Sequence, residues 1–499
     1  MTSEVDKVTT AKDTQVEIVE ETKPDGIISR LKSFVKSKNK LLTLLTIIGV
    51  SVGFIAGFVL NGLQLSDSAL LWIGLPGELY MRILTATILP LIVSSVIVGA
   101  ASVDPKANGR ISAIALGYII LTNGFGSLFG LIFAVIIKPG SGQSVVDDSV
   151  QPDTQNLQTE DIFADLIRNL FPDNIVGSTF QKSQTKYKIK QLPSVENVSG
   201  ILVNTTSDVF TKSVGTIQGT NILGLIILCA LFGMAAGRNK QATEPFIKFF
   251  KATETVISLV LGWIIWYTPL GVASLIAHAI AKASSIVTSF TSLGMFLLTL
   301  TVAVIVYEFM FMPLMYFITV RKNPYRFHLT AVKAIMTAFV ALSTAIAIPE
   351  MIKCVENKNK VDPKVSRFVL PLAAALNRDG SALFICVTSI YICEITGNIH
   401  SGNVIMVGIL AFVGSLAIPA IPSASIVTLI IILSSLGVPP ANIGLIMALE
   451  WFTDRLRSTI NCYGCMMCTA ITFRFTKDYI KSDDEEKDKL NPLMEGTHM

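Results

Sequence analysis

Between residues 41 and 475 the chain repeatedly presents apolar runs of about 20 residues or more, the length of helix that crosses the hydrocarbon core of a bilayer. In lipid every backbone N–H and C=O must be satisfied within the protein, so this pattern restricts the chain to a bundle of membrane helices. Of the 499 residues 51% are hydrophobic and 15% charged, which is too apolar for a soluble protein and too interrupted for a single anchor. The fold class is therefore an all-α polytopic membrane protein. Spans are expected at roughly 41–63, 79–101, 111–138, 220–237, 249–283 and 293–320, the longer ones tilted.

Charge sets the topology. The polar leader closes with Arg30, Lys32, Lys36, Lys38 and Lys40, and the basic connectors at 106–110, 238–251 and 321–333 recur at every second loop. By the positive-inside rule these lie in the cytoplasm, with both termini there as well. The net charge of +4 comes from these clusters, so it speaks of orientation, and no nucleic-acid partner is expected. A cleavable signal peptide is not expected either, because the first apolar run follows a polar leader. Residues 139–219 are polar and carry two sequons, Asn197-Val198-Ser199 and Asn204-Thr205-Thr206, on the side opposite the basic loops. They read as a glycosylated extracellular loop of a plasma-membrane protein. The seven cysteines lie in or beside apolar segments and none falls in this loop, so no disulfide framework is suggested.

The last third departs from plain hydropathy. Segment 328–353 carries Ser343, Thr344 and Pro349 in mid-run, and segment 404–436 is broken at Pro419, Pro422, Ser423 and Ser425. If each is a helix, a turn and a returning helix, charge alternation is preserved, with 363–392 and 441–474 crossing. The expected architecture is eight transmembrane helices plus two re-entrant hairpins, a pattern that points to a midplane site lined by broken helices. Both crossing segments carry interior charge: Asn377-Arg378-Asp379-Gly380-Ser381 in one, and Asp454, Arg455, Arg457, Ser458 and Asn461 in the other. Each centrally placed Asp or Arg costs roughly 2.5–3.5 kcal/mol on the insertion scale, so these groups face a cavity, an ion or each other. Positions 454, 457, 458 and 461 share one helical face. Gly380 reads as a point of local unwinding that frees carbonyls for a cation beside the oxygens of Asn377 and Asp379. The plainer alternative is an Arg378–Asp379 pair that only locks helices together.

Asn377-Arg-Asp-Gly-Ser-Ala-Leu-Phe384 resembles the Asn-Met-Asp-Gly-Thr motif of the glutamate and neutral amino acid transporter family, the dicarboxylate/amino acid:cation symporters that include the excitatory amino acid transporters. Asp454-Arg-Leu-Arg-Ser-Thr-Ile-Asn461 is similar to that family's last-helix signature. Pro76-Gly-Glu-Leu-Tyr-Met-Arg82, Leu89-Pro-Leu-Ile-Val-Ser-Ser95 and Ser366-Arg-Phe-Val-Leu-Pro371 extend the resemblance over most of residues 40–475. It implies an elevator-type homotrimer with chloride conductance, and no enzyme. Scaffold spans would cover 41–110 and 220–292, and the transport domain would cover 111–138 and 293–475. The cytoplasmic tails are 1–40 and 476–499, the latter charge-rich from Asp483 to Lys489 and expected to be disordered.

The resemblance also implies roles. Arg457 would receive a side-chain carboxylate of glutamate or aspartate, and Asp454 and Asn461 would hold the amino and carboxylate groups, with Ser343, Thr344, Ser423 and Ser458 completing the substrate set. The chemistry agrees, since a guanidinium fork pairs bidentately with a carboxylate and an aspartate complements an ammonium. Thr122, Asn123, Asn377 and Asp379 would form a sodium site; the plainer alternative for Thr122 and Asn123 is that they hydrogen-bond helices together. Sodium is the expected coupling ion, and no organic cofactor is expected.

Departures cluster in the site. Arg378 stands where the family motif has Met, beside the position of a second sodium, where it would repel that ion or replace it. Cys465 stands in place of a carboxylate, and Ile385 in place of a proton-carrying Glu. The second hairpin reads Ala420-Ile421-Pro422-Ser423-Ala424-Ser425 where the family has glycines, which stiffens a gate. The expected function is sodium-dependent transport of glutamate or aspartate with altered ion coupling and no proton cotransport. The alternative is a family member that has lost productive transport and serves as an anion channel or ligand sensor. Cys462, Cys465 and Cys468 share a helical side and suggest a soft-metal site only weakly, since buried cysteine usually packs as a small hydrophobe. Glu78 and Arg82 are expected to pair one turn apart. Thr497-His498-Met499 resembles a PDZ-domain ligand, and a cloning remnant is the equal alternative.

Overall fold

The computed structural model describes residues 38–63, 65–102, 105–141, 159–198, 201–283, 286–397, 399, 401–419, 423–438 and 443–495. The PDZ-like terminus, most of the N-terminal tail and residues 420–422 of the second hairpin lie outside the described residues. The chain divides into a short unit, Met1–Leu45, and a large one, Thr46–Met499.

Helices dominate. α1 (Lys38–Asn61), α2 (Asp67–Ser102) and α3 (Pro105–Ile137) come first, then α4 (Thr159–Leu170) and a two-stranded antiparallel sheet of β1 (Gln181–Val198) and β2 (Ile201–Gln218). α5 (Ile222–Arg238), α6 (Lys240–Ile265), α7 (Thr268–Ala281) and α8 (Ile286–Val306) follow, the last joined to α9 (Met312–Val320) by a π-helical turn at Tyr307–Phe311. The final third holds α10 (Pro324–Ala341), α11 (Thr344–Ile352), α12 (Pro363–Leu376), α13 (Asp379–Ile395), α14 (Ser401–Ser415), α15 (Ala424–Ser435), the short α16 (Gly444–Met447) and α17 (Glu450–Glu495). Among the described residues five helical stretches are long and apolar enough to cross a membrane, and α6 with α7 would make a sixth.

Several boundaries differ from the sequence expectation, each for a local reason. α2 begins at Asp67 rather than near 79, where Ser66 caps its first turn by accepting from the Ala69 N–H (3.4 Å). The expected single span at 249–283 is two helices, bent by 57°. Pro269 stands in the first turn of α7, where its missing N–H leaves no helical bond unmade and its fixed φ suits a helix start. The 139–219 segment, read only as a polar loop, contains a helix and a hairpin. Residues 476–495, expected to be disordered, continue α17 as helix. Asp483 with Lys487 and Glu485 with Lys489 are placed at the i,i+4 spacing that supports a helix.

In the final third the interrupted segments are helix pairs. α10 packs against α11 across Leu342 and Ser343, and α14 packs against α15. Leu342 and Ser423 hold left-handed backbone (φ 55° and 57°) at the two breaks, a conformation that costs a side-chain-bearing residue about 1–2 kcal/mol. α13 lies at the centre, buried on all sides apart from Glu394, as expected of a helix apolar all round. Close approach around it depends on small residues. A Cβ on Gly126 or Gly130 of α3 would stand 2.3 and 2.5 Å from the carbonyl oxygens of Asp379 and Leu383.

Candidate functional site

Two polar clusters meet where α12 gives way to α13. Asn377 and Arg378 are outside both helices, although the Asn377 N–H still donates to the Ala373 carbonyl (2.7 Å). The break therefore falls before Gly380, which is already in the first turn of α13. Gly380 serves close packing instead of unwinding, since a Cβ there would sit 2.9 Å from the Arg457 carbonyl oxygen and 2.9 Å from Ile460 Cβ.

The first cluster joins α3 to the break. Asn377 Oδ1 accepts from the Thr122 hydroxyl (3.0 Å) and from Asn123 Nδ2 (3.3 Å). Asn123 Oδ1 accepts from the Arg378 N–H (3.1 Å) and the Ser415 hydroxyl (2.9 Å), which ties in α14. Tyr307, on the π turn, donates to the Thr122 carbonyl (3.0 Å) and to Asp379 Oδ2 (3.3 Å). Thr122, Asn123, Asn377 and Asp379 are thus one fully buried oxygen-rich group, chemically suited to a small hard cation. Asn377 Nδ2 is buried without a protein partner. The structure places these four, which the family resemblance had grouped, in one cluster, and it adds Tyr307 and Ser415.

The second cluster lies on α17. Arg457 Nη2 donates to Glu450 Oε1 (2.6 Å) and Asp454 Oδ1 (2.8 Å), and Nη1 donates to Glu450 Oε2 (3.1 Å). Its guanidinium carbon stands 4.1 Å from the Phe384 ring centroid, and its Nε has no protein partner. Asp454 Oδ2 accepts from the Ser423 N–H (3.1 Å) at the start of α15, so the carboxylate ties α17 to α15. Asn461 Oδ1 accepts from the Gly380 N–H (3.0 Å), and its Nδ2 donates to the Ser381 hydroxyl (3.4 Å), which the Ser425 hydroxyl also reaches (2.9 Å). The two clusters are therefore one site joined through Gly380. Ser343 and Ser458 are buried, and Thr344 accepts from Arg378 Nη1 (2.9 Å).

Glu450 was not singled out from the sequence, although its spacing of seven from Arg457 puts it on the same face. Tyr307 was equally missed; the signal was the Tyr307-Glu308 pair inside an apolar span. Cys465 is buried in the core together with Cys462 and Cys468, and among the described residues no group of His, Cys, Asp and Glu is arranged to hold a metal.

The family model for the sodium:dicarboxylate symporters matches residues 42–475. The chain belongs to the sodium:dicarboxylate symporter family. It is 34% identical over 453 residues to an excitatory amino acid transporter of Caenorhabditis elegans, covering 90% of this chain and 90% of that protein. It is 33% identical over 457 residues to the human neutral amino acid transporter A, covering 90% and 84%. With the mouse excitatory amino acid transporter 3 the identity is 34% over 470 residues, covering 91% and 90%. The chain is thus a multi-pass membrane protein of a transporter family and not an enzyme, and its relatives carry amino acids.

Proposed function

We propose that this symporter-family protein is a sodium-dependent transporter of glutamate or aspartate. The observation that supports this reading is Arg457: a buried guanidinium whose Nε–H has no protein partner, beside the Asp454 carboxylate that also accepts from Ser423 at the start of α15. An acidic amino acid offers the matching groups, a side-chain carboxylate for the guanidinium and an ammonium for Asp454. The amide of Asn461 is the group assigned to the backbone carboxylate. Sodium is assigned to the oxygen cluster of Thr122, Asn123, Asn377 and Asp379, with coupling to fewer ions than the family pattern. Ile385, wholly buried and apolar, offers no proton-carrying group at its position. We further assign the α10–α11 and α14–α15 pairs to re-entrant hairpins of an elevator-type homotrimer, with α14–α15 as the gate.

A second reading is favoured by Glu450. Its carboxylate already engages both terminal nitrogens of Arg457, as a substrate side chain would, and this favours a neutral amino acid. Flux of labelled glutamate, aspartate, serine and alanine into proteoliposomes under imposed sodium gradients separates the two. Acidic substrates are expected to accumulate, and Arg457→Lys is expected to weaken them by roughly tenfold to a hundredfold, because a charge-assisted hydrogen bond contributes about 1.5–3 kcal/mol. Serine or alanine flux that survives Arg457→Lys would establish the neutral reading. Substrate-gated current without labelled flux would replace transport by a channel.

A further inference from the structure

The fixed cation at the break, Arg378, is the feature that the proposed transport reading leaves unexplained. It is buried among the ends of three interrupted elements, and its guanidinium meets a ring of neutral oxygens. Nε donates to the carbonyl of Ile418, just after α14 (3.2 Å). Nη1 donates to the hydroxyl of Thr344, which opens α11 (2.9 Å), and to the carbonyl of Asn377 (3.1 Å). Nη2 donates to the carbonyl of Ala374, near the end of α12. Asp379, next in sequence, turns its carboxylate elsewhere, to Tyr307 and the Gly380 N–H. The locking Arg378–Asp379 pair is therefore not formed.

Three backbone carbonyls and a hydroxyl turned toward one cation are also the kind of lining that a hard monovalent ion takes, and such carbonyls become available only where helices break. In this protein one side chain supplies the positive charge. Its rigid fork satisfies oxygens from both hairpins and from the break simultaneously, which a spherical ion does only when it is present. A buried carbonyl without a partner is costly, so these segment ends are held together for as long as the guanidinium stays.

We propose that Arg378 is a tethered cation that takes the place of one mobile coupling ion, so that closure of the second hairpin at Ile418 does not depend on that ion. This deepens the transport reading but is tested apart from it. Arg378→Met removes the charge and leaves the oxygens facing each other, and the variant should acquire a requirement for about one further sodium ion per protomer. The measurement is the melting temperature of the purified full-length protein, without amino acid, as sodium replaces choline. The dependence on sodium should be steeper in Arg378→Met than in the unaltered protein. Arg378→Lys keeps a charge without the fork, and should keep the original sodium slope while lowering the melting temperature at every concentration. In proteoliposomes the reversal potential of Arg378→Met should shift in the direction of one more cation per cycle.

Equal sodium slopes for the unaltered protein and Arg378→Met, with both monodisperse, would overturn the proposal. So would an Arg378→Lys variant whose sodium slope matches that of Arg378→Met. If the unaltered protein moved no amino acid, the transport reading would fail while the sodium titration still decided the role of Arg378.

Discussion

Gly380 is held to its identity by what stands opposite it. The backbone oxygen of Arg457 and the branched carbon of Ile460 leave no room for a methyl group, and the Gly380 N–H is committed to Asn461. Neither neighbour is the free end of a flexible side chain, so Gly380→Ala must separate α13 from α17. A cost of about 1–3 kcal/mol is expected, as for overpacking elsewhere, read as a lower melting temperature in detergent. An unchanged melting temperature would show that the two helices can slide apart without strain. Much of the site's membership at this scale could be read from residue type, because ionisable side chains inside apolar spans have few permitted surroundings. The spacing placed Asp454, Arg457 and Asn461 on one face. It could not reveal that Glu450 occupies the guanidinium, since two carboxylates on that face compete for one arginine and only the packing decides which oxygens reach it. Nor could it show that Asp379 and Arg378 turn apart, which depends on the backbone at the break.

At the scale of elements, the polar segment before α5 is less of a loop than its composition suggests. Asp165 of α4 accepts from the Thr185 N–H (2.7 Å), the Thr185 hydroxyl (2.8 Å) and Arg168 (2.7 Å), which fastens the helix to β1. The alternation in Thr185-Lys-Tyr-Lys-Ile-Lys190 was a legible strand signal, but one overshadowed by the surrounding serines and glutamines. Three residues before that anchor on β1, Lys182 donates to the carbonyl of Ser435, the last residue of α15. The sheet is thereby strapped to the returning arm of the second hairpin. Burial pushes the Lys182 amine down from 10.5 to about 8, and the neighbouring Asp165 carboxylate opposes the shift only in part. Because the folded-state value lies below the unfolded one, the unfolded chain holds a proton between about pH 8 and 10.5 that the folded chain has lost. Stability therefore rises with pH through that window, and below it the buried charge carries a constant penalty. Against Lys182→Met, the unaltered protein should gain melting temperature from pH 8 to pH 10. Parallel profiles for the two would mean that the amine stays solvated.

For the whole molecule, the alternation of basic connectors predicts one arrangement of sides. In β1 and β2, Gln181 pairs with Gln218 at the base, and Asn197 pairs with Leu202 and Val195 with Asn204 near the far end. Both sequon asparagines therefore lie near the end of the hairpin opposite its base. If the basic connectors stay in the cytoplasm, as cytoplasmic Lys and Arg do in multi-pass proteins, this hairpin must face the lumen during synthesis and the exterior afterwards. Expression in eukaryotic cells should yield a protein that loses apparent mass on treatment with an N-glycosidase. Single Asn197→Gln and Asn204→Gln variants should each lose part of that shift, and the double variant all of it. Cell-surface labelling should be retained in the double variant, because both positions lie near the far end of the hairpin register. An untreated protein that runs identically before and after the enzyme would reverse the assigned orientation, provided that a sequon engineered into the 106–110 connector became glycosylated instead. That pairing of outcomes makes the test decisive, since every crossing between the two positions is fixed in number by the chain.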